Sequence, residues 1–171
     1  MEKQDTARWT CHYKLSKYHQ DIEPYRGSEP AFYEKFQPYE VIEGEGNCLL
    51  NAGINEMWDL ITGGVSGAGH IFDNAAAQIG VGDDDTAADP AQTDLQAATN
   101  KTYKGMESGY PTSSQQKATF KASFGDSEAN YAWEEWVVKQ ATSAICLNRK
   151  VESLGTKSSG TWTLEVSITL S

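Results

Sequence analysis

The last ten residues constrain the fold of this chain more than any other stretch. Trp162, Leu164, Val166, Ile168 and Leu170 alternate without exception with Thr161, Thr163, Glu165, Ser167 and Thr169. A period of two sends successive side chains to opposite faces, so these residues read as a β-strand with one face in a core and one in water. The polar members are mostly β-formers themselves. Because this strand belongs to the core, C-terminal truncation is expected to unfold the body rather than trim a tail.

Weaker signals of the same kind recur upstream. Phe120, Ala122 and Phe124 alternate with Thr119, Lys121 and Ser123, and the spacing predicts a strand over Ala118 to Phe124. Tyr131 to Val138 fits either period, and its aromatic and β-branched content favours a strand, with a bulge that lets Trp133 and Trp136 both face inward. Short strands are expected at Tyr39 to Ile42 and Gln78 to Val81. Leu147 to Val151 and the final strand flank Glu152 to Gly160, a Gly/Ser-rich connection of hairpin length.

One stretch carries the helical period. Leu50, Ile54, Met57, Trp58 and Ile61 fall on one helix face, with Asn47 as N-cap and Gly63-Gly64 as the stop. These five are expected in the core, where Trp58→Ala would cost about 3–5 kcal/mol. Gly63 to Gly69 reads as a flexible loop, Gly82 to Thr86 as an acidic turn, and Thr93 to Ala98 as a short helical turn. With 15 glycines and 18 aromatic residues in 171, the fold class is mainly β. The expected architecture is a single β-sandwich or jelly-roll-like domain with one packed amphipathic helix and an extended N-terminal arm.

The arm is residues 1–40 and the β-rich body residues 41–171. The arm holds eight of the 18 aromatics and three of the five prolines, and no period of either kind runs through it. Its six basic and seven acidic residues leave eight and 17 for the body, which therefore carries −9 of the formal charge of −10. Rigid aromatic anchors on a Pro-stiffened backbone suit a segment ordered against another surface. Trp9, Tyr13, Tyr18, Tyr25, Phe32, Tyr33 and Phe36 are the expected partner-binding residues of such a docking arm. The plainer alternative is that they cover the chain's own core.

A net charge of −10 repels a phosphate backbone, which disfavours nucleic acid as a partner. No apolar run reaches the roughly 18–20 residues of a membrane span, and the acidic first thirty residues do not resemble a signal peptide, so no membrane partner is expected. Cys11, Cys48 and Cys146 are far apart and odd in number, which argues against a disulfide scaffold.

No catalytic constellation emerges. Gly44-Glu45-Gly46 lies between strand and helix as a dinucleotide loop would, yet Leu49 stands at the third glycine position and Glu45 would oppose a phosphate. Gly64-Val65-Ser66-Gly67-Ala68 lacks the strand and final glycine of a nucleophile elbow. His12, His19 and His70 have no nucleophile beside them in the pattern. Asp83, Asp84, Asp85 and Asp89 could donate oxygens to a hard cation but lack EF-hand spacing and read first as a solvated turn. Glu134 and Glu135 would point to opposite faces of a strand. The expectation is a protein without enzymatic activity, cofactor or metal.

Several stretches resemble a family of small tailed-bacteriophage virion proteins that includes head decoration (cement) proteins and tail-fibre-like proteins. They are Val41-Ile-Glu-Gly-Glu-Gly-Asn-Cys-Leu-Leu50, Ile79-Gly-Val-Gly-Asp83 with Gln92-Thr-Asp-Leu95, Ala98-Thr-Asn-Lys101, Thr119 to Trp136, and Leu147 to Lys157 with the final strand. The resemblance covers most of the body. It implies a compact β domain, no cofactor, and assembly with copies of itself, a trimer being the guess. The first expected function is that of a capsid decoration protein, made in the host cytoplasm and bound to the major capsid protein on the outer capsid surface of the virion. The alternative is a tail fibre or receptor-binding (adhesin) module.

Overall fold

The computed structural model describes residues 7–171, so the first six residues of the expected arm lie outside the described residues. In chain order the elements are β1 (Trp9–Tyr18), α1 (Glu29–Lys35), β2 (Glu40–Glu45), β3 (Cys48–Leu49), α2 (Asn51–Thr62), β4 (Ala77–Gly82), β5 (Lys101–Gly105), β6 (Thr112–Ser114), β7 (Lys117–Phe124), β8 (Ala132–Gln140), β9 (Cys146–Thr156) and β10 (Thr161–Leu170). The strands form two five-stranded antiparallel sheets, ordered β2-β1-β10-β7-β6 and β3-β9-β8-β4-β5. This is a mainly β, sandwich-like single domain with two helices, in agreement with the expected fold class.

β10 occupies the middle of the first sheet. It pairs with β1 from Trp9↔Leu170 to Tyr18↔Thr161 and with β7 along its other edge. Its alternation puts Trp162, Leu164, Val166 and Ile168 between the sheets, all buried. There they meet Phe120, Ala122 and Phe124 of β7 and Ile79, Trp133, Trp136 and Leu154 of the second sheet. β8 is irregular between Trp133 and Glu135, and that bulge turns both Trp133 and Trp136 wholly inward.

Three expectations are corrected. First, residues 9–18 are no arm: β1 is hydrogen-bonded on both sides, to β10 and to β2, and buries Cys11, Tyr13 and Leu15 in the core. The boundary at residue 40 therefore separates nothing, because the segment before it supplies an interior strand. Second, β9 and β10 lie in different sheets and form no hairpin. The connection 157–160 crosses from one sheet to the other, anchored by the buried Lys157 ammonium, which donates to Gly125 O at 2.7 Å and Asn130 Oδ1 at 2.9 Å. Third, Thr93 to Ala98 is not helical. Leu95 and Ala97 are buried there in an irregular segment laid over the outer face of the second sheet.

The rest of the expected arm covers one end of the first sheet's outer face. Tyr18, Ile22 and Phe32 are buried together, with Tyr25, Tyr33 and Phe36 packed around them. Phe32 meets Tyr18, Tyr25 and Tyr33 edge to face, an arrangement favoured by the ring quadrupoles. Thr161 and Thr163, which face outward on β10, are buried beneath this cluster: Thr161 Oγ1 accepts from Ile22 N at 2.8 Å.

Candidate protein interface

α2 packs in an orientation that its apolar period does not anticipate. Its contact with β9 is made through Gly53, where an added Cβ would lie 2.6 Å from Leu147 O, so the helix approaches the strand backbone as closely as a missing side chain permits. Glu56, one turn on, is also buried and pairs with His70 Nδ1 at 2.8 Å. Leu50, extended at the N-cap position, is wholly buried. Asn47 does not cap the helix; its Oδ1 accepts from Trp9 Nε1 at 3.0 Å. Gly63, left-handed at φ +76°, ends the helix where expected.

With Gly53 and Glu56 against the sandwich and Met57 packed at the margin of its core, Trp58 and Ile61 turn away from it. Ile54 and Met57 are half-buried, while Trp58 is 61 % and Ile61 72 % exposed. The expected burial of all five apolar residues is thus corrected to Leu50 alone. Met57 borders a groove of about 240 Å³ at the end of the sandwich where β1 begins and β10 finishes. Trp9, Phe72, Ile168 and Leu170 form its other walls, and its lining is almost entirely apolar. Ile71, beside Phe72, and Leu170 are also exposed. The exposed Trp58 and Ile61 on α2, and the apolar groove that Met57 borders, are the largest apolar groups this end of the molecule leaves to solvent, and exposed apolar surface of this kind is a candidate for protein contact.

Of the seven expected docking residues, Tyr13, Tyr18 and Phe32 are buried in the chain's own core and present nothing to a partner. Tyr25, Tyr33 and Phe36 pack on Phe32 and its neighbours, half-buried. Trp9 alone of the seven reaches the groove. The residues that sequence reasoning missed as surface groups, Trp58 and Ile61, were legible as a stripe; Gly53 at the centre of the opposite face was the signal that the helix packs the other way round.

The titratable clusters elsewhere serve the fold. Asp94 accepts from Tyr103 Oη at 2.6 Å and Lys139 Nζ at 2.7 Å, fastening the irregular segment to β5 and β8; its carboxyl is held below the usual range, the hydrogen bonds outweighing its desolvation. Burial pushes the Cys146 thiol, 3.6 Å from Asp94, up to about 12, and burial likewise lifts Cys11 to about 12. Neither thiol supplies a thiolate near neutrality. Tyr33, Ser123 and Lys121 surround the buried Glu107, with Lys121 Nζ at 3.4 Å. Asp84 accepts from Thr86 N and faces Arg149, and Asp89 accepts from Ala91 N, so these carboxylates are spent on turns and on one arginine. Among the described residues no three His, Cys, Asp or Glu side chains gather as metal ligands.

Gly44 lies beneath the Tyr13 ring, where a Cβ would clash, and the Gly46 N–H donates to Cys11 O, so this turn is occupied by the fold itself. The depression bordered by His12, Lys14, Glu43, Glu45 and Glu165 holds contacts of its own, His12 Nδ1 with Glu45 at 3.3 Å and Lys14 with Glu43 at 3.4 Å. No helix among the described residues is long and apolar enough to cross a membrane. In comparisons with known proteins, no family model, no curated protein and no solved structure matches this chain.

Proposed function

We propose that this chain is a structural protein of a tailed-bacteriophage virion, a decoration (cement) protein that binds the major capsid protein on the outer surface of the shell. The observation that carries an assembly role is the outward Trp58 and Ile61 of α2 with the apolar groove that Met57 borders, a face suited to protein contact. The resemblance of most of the body to small phage virion proteins directs that role to the virion. A charge of −10 fits a position outside the shell, away from the packaged nucleic acid.

Such a protein works by mass action and without chemistry of its own. A ligand that binds only assembled shells raises the cost of disassembly by RT ln(1 + [L]/Kd) per site. The test is to mix the purified chain with undecorated capsids and count bound copies. Saturable binding at hundreds of copies, in a fixed ratio to the capsid lattice, with a raised temperature of shell disruption, is the expected result. No binding to capsids, or a few copies confined to tails, would overturn it, the latter in favour of the adhesin reading.

A further inference from the structure

We infer that the outer face of the first sheet binds a sugar ring, a small neutral ligand rich in hydroxyls, in the depression between α1 and β2. This surface is separate from the α2 face, so the inference is independent of the capsid reading.

Strand residues that face away from the core build the depression. Lys14 and Ser16 of β1, Glu165 of β10 and Lys121 of β7 lie on its floor, and Pro38 and Val41 on its wall. Its volume of about 390 Å³ falls within the roughly 300–1,000 Å³ of small-molecule sites. Lys14 and Glu165 also border the neighbouring depression of about 310 Å³, so the two form one trough along the sheet.

The charges on the floor are arranged to leave one acceptor free. Glu43, Lys14, Glu165 and Lys121 stand opposite one another in a row across four strands, β2, β1, β10 and β7. An alternating row of this kind can pair off completely along the sheet. Here each lysine is engaged elsewhere, Lys14 with Glu43 at 3.4 Å and Lys121 with the buried Glu107 at 3.4 Å. Among the described residues the half-buried Glu165 between them has no ion pair, and its two oxygens are open to donors that enter the trough.

Ser16 is the second free group. Its side chain is only 8 % exposed, yet among the described residues its hydroxyl has no partner beyond the Tyr18 hydroxyl beside it. A buried hydroxyl that lines a cavity without a full set of bonds is available to what enters. Val41, 44 % exposed, and Pro38 add an apolar side to the same space.

This combination selects the ligand class. An anion such as phosphate would oppose Glu165, and a cation would oppose Lys14 and Lys121. A sugar carries neighbouring hydroxyls that donate to the two oxygens of a carboxylate and accept from lysine and serine, and its C–H face packs on apolar side chains. Free donors and acceptors of both kinds, with no excess of charge, are what such a ligand uses.

The experiment records saturation-transfer NMR of the full chain with glucose, galactose, mannose and N-acetylglucosamine, each at about 10 mM, together with amide shifts of the protein. The expected result is transfer to at least one sugar, Kd on the order of 1 mM, with shifts gathered at residues 14–16, 121 and 163–165. Glu165→Gln keeps the shape and removes the charge, and binding should weaken about tenfold with circular dichroism and thermal midpoint unchanged. Ser16→Ala should weaken it in the same direction, and the shift map of the unmodified chain locates the site without any variant. No transfer to any of the four sugars, shifts outside the trough, or undiminished binding in Glu165→Gln overturns the inference. If sodium phosphate or 1,4-diaminobutane moves the same signals and the sugars do not, one charge dominates the trough and the inference falls.

Discussion

Arg149 Nε lies 2.6 Å from Glu135 Oε2, on neighbouring strands of the second sheet, with neither side chain exposed at all. The Glu135 carboxylate also accepts from Gln96 N and Ala97 N, and Arg149 donates to Thr86 O and Gln92 Oε1. The pair therefore holds the irregular segment between β4 and β5 against the outer face of the sheet. Removing one member leaves the other charged and buried. Arg149→Met is expected to cost about 3–5 kcal/mol in urea denaturation and to speed proteolysis within residues 83–100. Unchanged stability and unchanged cleavage would show that the segment is held by other contacts.

Deleting residues 2–38 removes β1, and the body should then lose its fold. β2 would have no strand to pair with, β10 would lose one neighbour, and Leu15 would leave a hole in the core. Circular dichroism of the truncated chain should show no native β signal. In the full chain, Leu15→Ala alone should cost about 2–5 kcal/mol.

Trp58 and Trp133 should respond oppositely to truncation. Trp133 is wholly buried between Phe124 and Trp162, both edge to face with it, and its change to Ala should cost about 3–5 kcal/mol. The exposed Trp58 should cost less than about 1 kcal/mol. Chemical denaturation of the two variants at low protein concentration checks the contrast, and equal losses would place Trp58 in the core.

Gly53→Ala should destabilise the protein even though alanine favours helix by about 1 kcal/mol over glycine. Its methyl group would press on the backbone of β9 at Leu147, which cannot move without disturbing the ladder to β8. A cost of about 1–3 kcal/mol is expected for such overpacking. A gain in thermal midpoint would mean that α2 can lift from β9 freely.

Alkaline pH should unfold the protein through its thiols. Burial raises Cys11 and Cys146 from 9.0 to about 12, so between those values the folded chain holds two protons that the unfolded chain has released. Their contribution is complete below pH 9 and is lost as pH rises through 12, at about 3 kcal/mol per pH unit for the two together. Tyr13, Tyr33 and Tyr103, raised chiefly by burial, add to the loss at higher pH. Lys157, lowered by burial, acts in the opposite sense. Urea midpoints from pH 8 to 11 should fall steeply for wild type and less so for the double variant Cys11→Ala, Cys146→Ala.

Where a segment's period matched the layer it occupies, local structure was legible. β10 alternates strictly because one of its faces is apolar core along its whole length, and β8 kept its bulge because two tryptophans three residues apart both needed burial. β1 was legible in principle: Trp9, Cys11, Tyr13 and Leu15 alternate with Thr10, His12, Lys14 and Ser16. The aromatics and prolines that follow it, from Tyr18 to Tyr39, share its composition but not its period, so composition averaged over residues 1–40 masks an interior strand.

The sequence by itself determined the strands at β4, β7, β8 and β10, the helix α2 and its apolar stripe, because those properties follow from side-chain spacing along a local backbone. Only the tertiary structure decided which way α2 faces, since Gly53 lies against the backbone of β9 and Glu56 is buried on His70 of the following loop, which leaves Trp58 and Ile61 outward. It also decided that β9 and β10 part into different sheets and that Arg149 finds Glu135, because strand partners and the burial of a charge depend on contacts between residues distant in the chain. The candidate interface belongs to this second kind: a periodic stripe records that a helix has an apolar face, and the packing of the rest of the chain determines whether that face is core or surface.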